Sequence, residues 1–155
     1  MKRQYFLKLM KKVLLYILIA GGISCVFLTG ITTAEDLPAF RQGMWEFNRT
    51  FEETGSPSPG KPQKMKSNKC MNPTEDMKKK NEAYTKNGCK FSPISKKGNT
   101  YSYTADCKTQ DVAGQSKITI TVKNDSAYSL KIVTRSGKQR TKESVQAKRT
   151  GDCKD

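Results

Sequence analysis

The clearest β-strand signal is Lys117-Ile118-Thr119-Ile120-Thr121-Val122-Lys123, followed after a short gap by Tyr128-Ser129-Leu130-Lys131-Ile132. Both segments alternate apolar and polar residues, the pattern of a β-strand with one buried face. For the apolar residues of both strands to share that face, paired residue numbers must sum to an even value. A three-residue loop, Asn124-Asp125-Ser126, meets this condition. The sequence therefore predicts a β-hairpin closed by this loop.

Further strands are predicted on both sides of this hairpin. Residues 43–51 form a strand with Trp45, Phe47 and Phe51 pointing inward, and a Gly/Ser/Pro-rich loop at 55–60 separates it from a second strand at about 62–71. Residues 90–105 turn back on themselves at Lys97-Gly98-Asn99, and a last strand covers about 140–149. The sequence thus predicts an α+β, mostly β fold: a curved antiparallel meander sheet of about seven strands, with one surface helix and two disulfides.

The helix is predicted to follow the second strand. Asn72 suits the N-cap and Pro73 the first helical position, and acidic side chains fill the first turn. Lysines follow, and Gly88 lies just past the end. Met77 and Tyr84 form a narrow apolar stripe, which is typical of a helix lying on the surface of a sheet.

The N-terminal region has the pattern of an export signal. Residues 1–12 contain five basic residues and no acid, and a largely apolar run covers 13–31. Small residues precede Glu35, so we expect a signal peptide at 1–34 and a single exported domain at 35–155, periplasmic or secreted. The alternative is an uncleaved inner-membrane anchor with the domain facing the periplasm, because the run is just long enough to span a bilayer. A lipoprotein lipidated at Cys25 is a third, less favoured reading.

The cysteines predict two disulfides in an oxidising compartment. Cleavage leaves Cys70, Cys89, Cys107 and Cys153, which lie too far apart in sequence for an ordinary four-cysteine zinc site. If Gly98 is the centre of the 90–105 hairpin, Cys89 lies directly opposite Cys107, at a separation that a disulfide can bridge. Cys70 then pairs with Cys153. No metal site and no cofactor are predicted.

Five short motifs together carry a family resemblance. They are Gly43-Met44-Trp45-Glu46, Cys70 with Pro73, Cys89, Cys107, and Arg149-Thr150-Gly151-Asp152-Cys153. Their order along the chain resembles the bacterial family catalogued as domain of unknown function 3617, from about residue 40 to residue 153. The resemblance implies a small exported cell-envelope protein with disulfides, and it brings no activity, ligand or catalytic residue.

Composition argues against an enzyme. The chain has no histidine, which removes imidazole bases, Ser-His and Cys-His pairs and His-ligated zinc. It has 29 basic and 14 acidic residues; removing residues 1–34 takes away five basic residues and no acid, leaving a net charge of +10. We identify no catalytic residue and expect a basic, non-enzymatic envelope protein.

The basic residues give the leading hypothesis for function. On the strands between residues 117 and 149, the face opposite Ile118, Leu130 and Val145 carries no acid and a series of cations. Such a face suits the anionic groups of an envelope polymer. Nucleic acid fits less well, because the face has no aromatic residues for base stacking. The candidate anion-binding residues are Lys117, Lys123, Lys131, Arg135, Arg140, Lys142 and Lys148.

Two alternatives remain open. The aromatic side of the sheet could form a pocket for a small apolar ligand, although in so small a domain the same residues could simply be the core. The domain could also act as an inhibitor or adaptor of another envelope protein, which would require an exposed apolar patch. The basic face could likewise serve only solubility. The candidate pocket residues are Trp45, Phe47, Tyr101, Tyr103 and Tyr128.

Overall fold

The computed structural model describes residues 36–55, 60–108 and 113–154. The predicted export segment lies outside these residues. The strands are β1 Gly43–Thr54, β2 Gln63–Met71, β3 Cys89–Phe91, β4 Ser95–Lys97, β5 Thr100–Lys108, β6 Ala113–Asn124, β7 Ala127–Ser136 and β8 Gln139–Gly151, and the helix α1 is Pro73–Lys86. Within the described residues, no helix is long and apolar enough to cross a membrane. The mostly β, α+β class is confirmed.

All strands join one open antiparallel sheet in the order β2-β1-β8-β7-β6-β5-β3, and β4 also pairs with β5. From β3 to β8 the order is the predicted meander. The β1–β2 hairpin departs from the predicted meander. A continuous meander would place β2 beside β3, whereas in the structure β1 pairs with β8. Phe47 of β1 lies directly opposite Ala147 of β8, so the apolar face of the meander continues into β1.

The β6–β7 hairpin has the predicted parity. Val122 pairs with Tyr128, Ile120 with Leu130 and Ile118 with Ile132. The turn itself contains only Asp125 and Ser126, and the register shifts between Val122 and Asn124. A β-bulge therefore supplies the extra residue that the alternation requires, where the sequence predicted a three-residue loop.

The Cys89 hairpin is more irregular than predicted. Cys89 pairs with Cys107 as expected, but the turn is Gly98-Asn99 and not centred on Gly98. The register slips by one between β3 and β4, where the Ser92 hydroxyl accepts a hydrogen bond from the Thr104 amide at 2.9 Å. This interruption divides one expected strand into two, which explains why eight strands are observed instead of seven.

Both predicted disulfides are confirmed. The Cα atoms of Cys89 and Cys107 lie 4.1 Å apart on adjacent strands. Those of Cys70 and Cys153 lie 5.4 Å apart and link β2 to the segment after β8. Disulfides of this kind indicate an oxidising environment.

The helix begins and ends as the sequence predicts. The side chain of Asn72 accepts hydrogen bonds from the amides of Thr74 and Glu75 at 3.0 and 3.3 Å, and Pro73 is the first helical residue. Met77 packs against the core, and the remaining turns are mostly exposed. The helix therefore covers part of one face of the sheet, which we call the core face.

The core face is also covered by residues 36–42. Phe40 stacks on Tyr128 with ring centroids 4.5 Å apart and meets Trp45 edge-on at 5.9 Å. The Thr74 hydroxyl ties this segment to α1, because it accepts from the Phe40 amide at 2.9 Å and donates to the Pro38 carbonyl at 2.8 Å. The helix α1 and residues 36–42 lie on the core face, and no helix of the described residues covers the opposite face, which we call the outer face.

Candidate anion-binding surface

The seven predicted anion-binding residues lie on strands β6, β7 and β8. Strand pairing places Lys117, Lys131, Arg135, Arg140, Lys142 and Lys148 on the outer face, at alternating positions between the core residues. Lys123 lies at the β6 bulge and is exposed. We call the seven together the basic surface.

Val133 marks the centre of the basic surface. It is partly buried on β7, with Lys117 of β6 opposite on one side and Lys142 of β8 opposite on the other. Lys131 and Arg135 lie two residues before and after it on the same strand, hence on the same face. Four cationic side chains therefore surround one apolar side chain.

Strand β1 brings two acidic residues to this face, which the sequence of β6–β8 alone did not reveal. Glu52 lies opposite Lys142, and the Lys142 Nζ to Glu52 Oε2 distance is 3.1 Å. Glu46 lies opposite Lys148 and forms an ion pair with Lys66 of β2 at 2.8 Å. Hydrogen bonds from Lys66 and Asn48 hold the pKa of Glu46 below its usual value. The β8 edge of the basic surface is thus partly neutralised.

The other side of the basic surface keeps its charge. Among the described residues, no carboxylate lies within ion-pair distance of Lys117, Lys131, Arg135 or Arg140. Arg135 and Arg140 are also directly opposed across β7 and β8. Like charges in direct cross-strand positions destabilise a sheet, so this arrangement has a cost in the free protein.

Hydroxyl groups lie between the cations. Lys131 has Thr119 on one side and Ser144 on the other, and Thr121 pairs with Ser129 in the next outward row. Hydroxyls donate hydrogen bonds, and ammonium and guanidinium groups supply both donors and charge. The surface can therefore contact several oxyanions at once, without enclosing any of them.

Some cations near this surface were not predicted from the sequence. Lys64 of β2 lies on the outer face opposite Thr50 of β1, and Lys138 occupies the β7–β8 turn. The turn carries a local signal, Arg135-Ser136-Gly137-Lys138-Gln139-Arg140, with three cations in six residues. Lys64 carries no such signal, because its place depends on the β1–β8 pairing.

The five candidate pocket residues do not share one environment. Trp45 is fully buried, and Tyr103 and Tyr128 are also buried within the core. The ring centroids of Trp45 and Tyr128 lie 5.6 Å apart, and burial raises the pKa of both tyrosines. Asn81 of α1 donates a hydrogen bond to the Tyr103 hydroxyl at 3.4 Å. Phe47 and Tyr101 are only partly buried. Three of the five therefore pack as core side chains.

Three of the five motifs that carry the family resemblance meet at one corner of the sheet, whereas Cys89 and Cys107 lie on β3 and β5 near its other end. Met44 pairs with Gly151 of β8 and with Cys70 of β2, whose disulfide partner is Cys153. The side chain of Arg149 is only 13% exposed. It donates a hydrogen bond to the Gln42 carbonyl at 2.9 Å and forms an ion pair with Asp152. These residues join the two ends of the domain, and they lie apart from the centre of the basic surface.

Comparison with known proteins gives one match. The family model described as "Protein of unknown function (DUF3617)" matches residues 40–153. No curated protein and no solved structure matches the chain.

Proposed function

We propose that this chain, which belongs to the DUF3617 family of proteins of unknown function, binds an anionic polymer of the bacterial cell envelope through the basic surface. The observation that carries the proposal is the group formed by Lys117, Lys131, Arg135 and Arg140. Its members share the outer face, and within the described residues none of them is neutralised by a carboxylate. An external polyanion would supply the missing counter-charge.

The proposed role is binding without catalysis. The sequence holds no histidine. The basic surface presents amines, guanidiniums and hydroxyls, and the carboxylates that β1 brings to it, Glu46 and Glu52, are engaged with lysines. These groups suit attraction of many anions better than bond making at one of them.

The proposed location is the periplasm or the cell exterior. The two disulfides support an oxidising compartment. The basic and apolar pattern of residues 1–34 supports export, with an inner-membrane anchor facing the periplasm as the alternative. In either arrangement the domain meets the anionic polymers of the envelope and is separated from most nucleic acid.

Binding to carboxymethyl dextran, a model polyanion, tests the proposal. Each cation that contacts the polymer releases counterions, so affinity should fall by roughly 100-fold between about 50 and about 500 mM salt. Neutral dextran should not bind. Affinity that is unchanged at ~1 M salt, where the screening length is about 3 Å, would contradict an electrostatic mechanism and would favour the apolar-ligand alternative.

Charge reversal separates a defined surface from net charge alone. The variant K117E/K131E/R135E/R140E should lose binding, because it removes the unneutralised cations. The matched control is K78E/K79E/K80E/K86E, which changes the same number of charges on α1, above the core face. It should retain most of the affinity. Equal losses in the two variants would show that net charge is responsible and that no surface is specific.

A further inference from the structure

Arg135 and Arg140 form a distinct feature at one end of the basic surface. They are directly opposite each other on β7 and β8, one residue pair away from the Gly137-Lys138 turn. Both are exposed. Opposed residues of antiparallel strands have Cα atoms about 5 Å apart, so the two guanidinium groups can reach one common ligand.

The groups that face this arginine pair carry no negative charge. Gln115 of β6 lies opposite Arg135, and Thr54 of β1 lies opposite Arg140. Two acids share this face near the pair: Glu52 is paired with Lys142 one outward row away, and Asp106 of β5 lies opposite Gln115, one strand beyond it from Arg135. Lys138 in the turn adds a third cation. Within the described residues, no carboxylate forms an ion pair with either arginine, and the local charge is net positive.

The backbone that carries the arginine pair is well supported. Gly137 has a φ of +58° at the first central position of the turn, which is the place of glycine in a type II′ hairpin. The end of β1 packs on the same turn: a Cβ on Gly55 would overlap the Lys138 carbonyl, and the Thr54 hydroxyl donates to the Arg140 carbonyl at 3.4 Å. Ligand binding would therefore order mainly the two side chains.

The chemistry of two guanidiniums selects the ligand. A guanidinium binds an oxyanion with two parallel N–H donors. A carboxylate has one negative charge and two oxygens, which satisfy a single guanidinium. A phosphomonoester has three terminal oxygens and a charge of about −1.5 to −2 at pH 7. It can accept from both guanidiniums and neutralise both.

We propose that the arginine pair binds one phosphomonoester group carried by the anionic polymer. This inference rests on the proposed function and names the chemical group of the polymer that the basic surface prefers to bind. The surrounding lysines attract the polymer by charge, whereas Arg135 and Arg140 recognise the phosphoryl group by the geometry of their donors.

The test compares two polymers on the same protein. Dextran bearing phosphomonoesters and carboxymethyl dextran are matched in charge density and ionic strength, and we expect the wild-type protein to bind the first at least ~10-fold more tightly. The variant R135K/R140K keeps both charges and loses the bidentate donors. It should lose this preference while still binding carboxymethyl dextran.

The control R41K/R49K makes the same chemical change at two other exposed arginines, which already have Asp125 and Glu143 as partners. It should keep the preference. If R135K/R140K also keeps it, the arginine pair is not the phosphate site, although salt-sensitive binding to both polymers would still support the proposed function. If neither polymer binds in a salt-sensitive way, both proposals fail.

A pH series gives a second readout. The second pKa of a phosphomonoester is about 6, so its affinity should rise several-fold between about pH 5 and about pH 7, and that of carboxymethyl dextran should change little. The charged groups on the same face near the pair are Lys117, Lys138, Lys142, Glu52 and Asp106. The chain has no histidine, the side chain that ordinarily titrates in this range. Equal pH dependence for both polymers would contradict the assignment.

Free phosphate is the remaining source of the same chemistry. Titration with inorganic phosphate, followed by the NMR signals of the arginine Nε–H groups, should shift Arg135 and Arg140 selectively. Shifts spread evenly over all arginines would overturn the site. Binding of inorganic phosphate as tight as that of a polymer-borne group would support the phosphate site and contradict the polymer as its natural partner.

Discussion

Arg149 packs directly over the backbone of Gly43. A Cβ on Gly43 would overlap the Arg149 Nε and the carbonyl oxygen of Gly151, and the same Nε donates to the Gln42 carbonyl at 2.9 Å. Arg149 thereby holds the start of β1 against the end of β8. Two motifs from opposite ends of the domain, Gly43-Met44-Trp45-Glu46 and Arg149-Thr150-Gly151-Asp152-Cys153, thus form one structural unit.

This contact predicts that Gly43→Ala destabilises the protein. The added methyl group must displace Arg149 or the β8 backbone, and forced overpacking of this kind costs about 1–3 kcal/mol. Urea denaturation measures the loss in the free energy of unfolding. Gly60→Ala is the control, because a Cβ at Gly60 meets no atom within 4 Å, and it should stay within about 0.5 kcal/mol of wild type. Equal stability of the two variants would contradict the close packing.

Thr74→Val should be destabilising through two lost hydrogen bonds. Valine keeps the shape of the side chain but cannot accept from the Phe40 amide or donate to the Pro38 carbonyl. Leaving such buried groups unpaired costs about 1–3 kcal/mol. Thr85→Val provides the comparison, since its hydroxyl bonds to the Asn81 carbonyl at an exposed site on α1. A loss at Thr74 no larger than the loss at Thr85 would show that residues 36–42 are not held through this hydroxyl.

The two disulfides should contribute unequally to stability. On the chain-entropy model, the Cys70–Cys153 bond, with a sequence separation of 83, contributes about 4.5 kcal/mol, and the Cys89–Cys107 bond, with a separation of 18, about 3 kcal/mol. The double variants C70A/C153A and C89A/C107A can be compared by thermal unfolding. The first should lose more. Non-reducing peptide mapping checks the pairing, and a peptide that links Cys70 to Cys89 would contradict it.

Stability should fall at alkaline pH because Tyr128 is buried. Burial raises its pKa in the folded state above the value of about 10 expected for the unfolded chain. Above pH ~10 the unfolded state therefore binds fewer protons than the folded state, and the free energy of unfolding decreases as pH rises. Tyr128→Phe should flatten this part of the stability profile, measured by denaturation at several pH values. Tyr84→Phe, at an exposed site, should leave the profile as in wild type.

The pattern of neighbouring residues was sufficient to predict several secondary-structure elements. The alternation around Ile118 and Ile120 predicted strand, face and parity of the β6–β7 hairpin, because side chains of a strand point to its two faces in turn. Asn72, Pro73 and Gly88 predicted the helix ends from capping chemistry that involves only neighbouring residues. The Cys89–Cys107 pair followed from hairpin register, and Cys70–Cys153 then remained.

Two hairpins deviate from regular strand pairing near their turns. A bulge near Lys123 and a register slip near Pro93 gave the two hairpins shorter turns than predicted. The bulge leaves the predicted parity of β6 unchanged, and Cys89 still lies opposite Cys107. The register slip changes the parity of β4, where Lys96 and not Ser95 lies opposite Tyr101. Alternation specifies which residues share a face, and it does not specify how the chain accommodates them at a turn.

The strand and helix segments, the disulfide pairs and the cationic outward residues of β6–β8 could be predicted from the amino-acid sequence, since each depends on spacing along the chain. The pairing of β1 with β8 depends instead on tertiary contacts: it brings Glu52 to Lys142 and, among the described residues, leaves Arg135 and Arg140 without a carboxylate partner. Tertiary contacts also decided that Phe40 and α1 cover Tyr128 and Trp45, so that these aromatic residues become core. Such contacts join residues that are distant in sequence, and they form only when the whole sheet buries its apolar face.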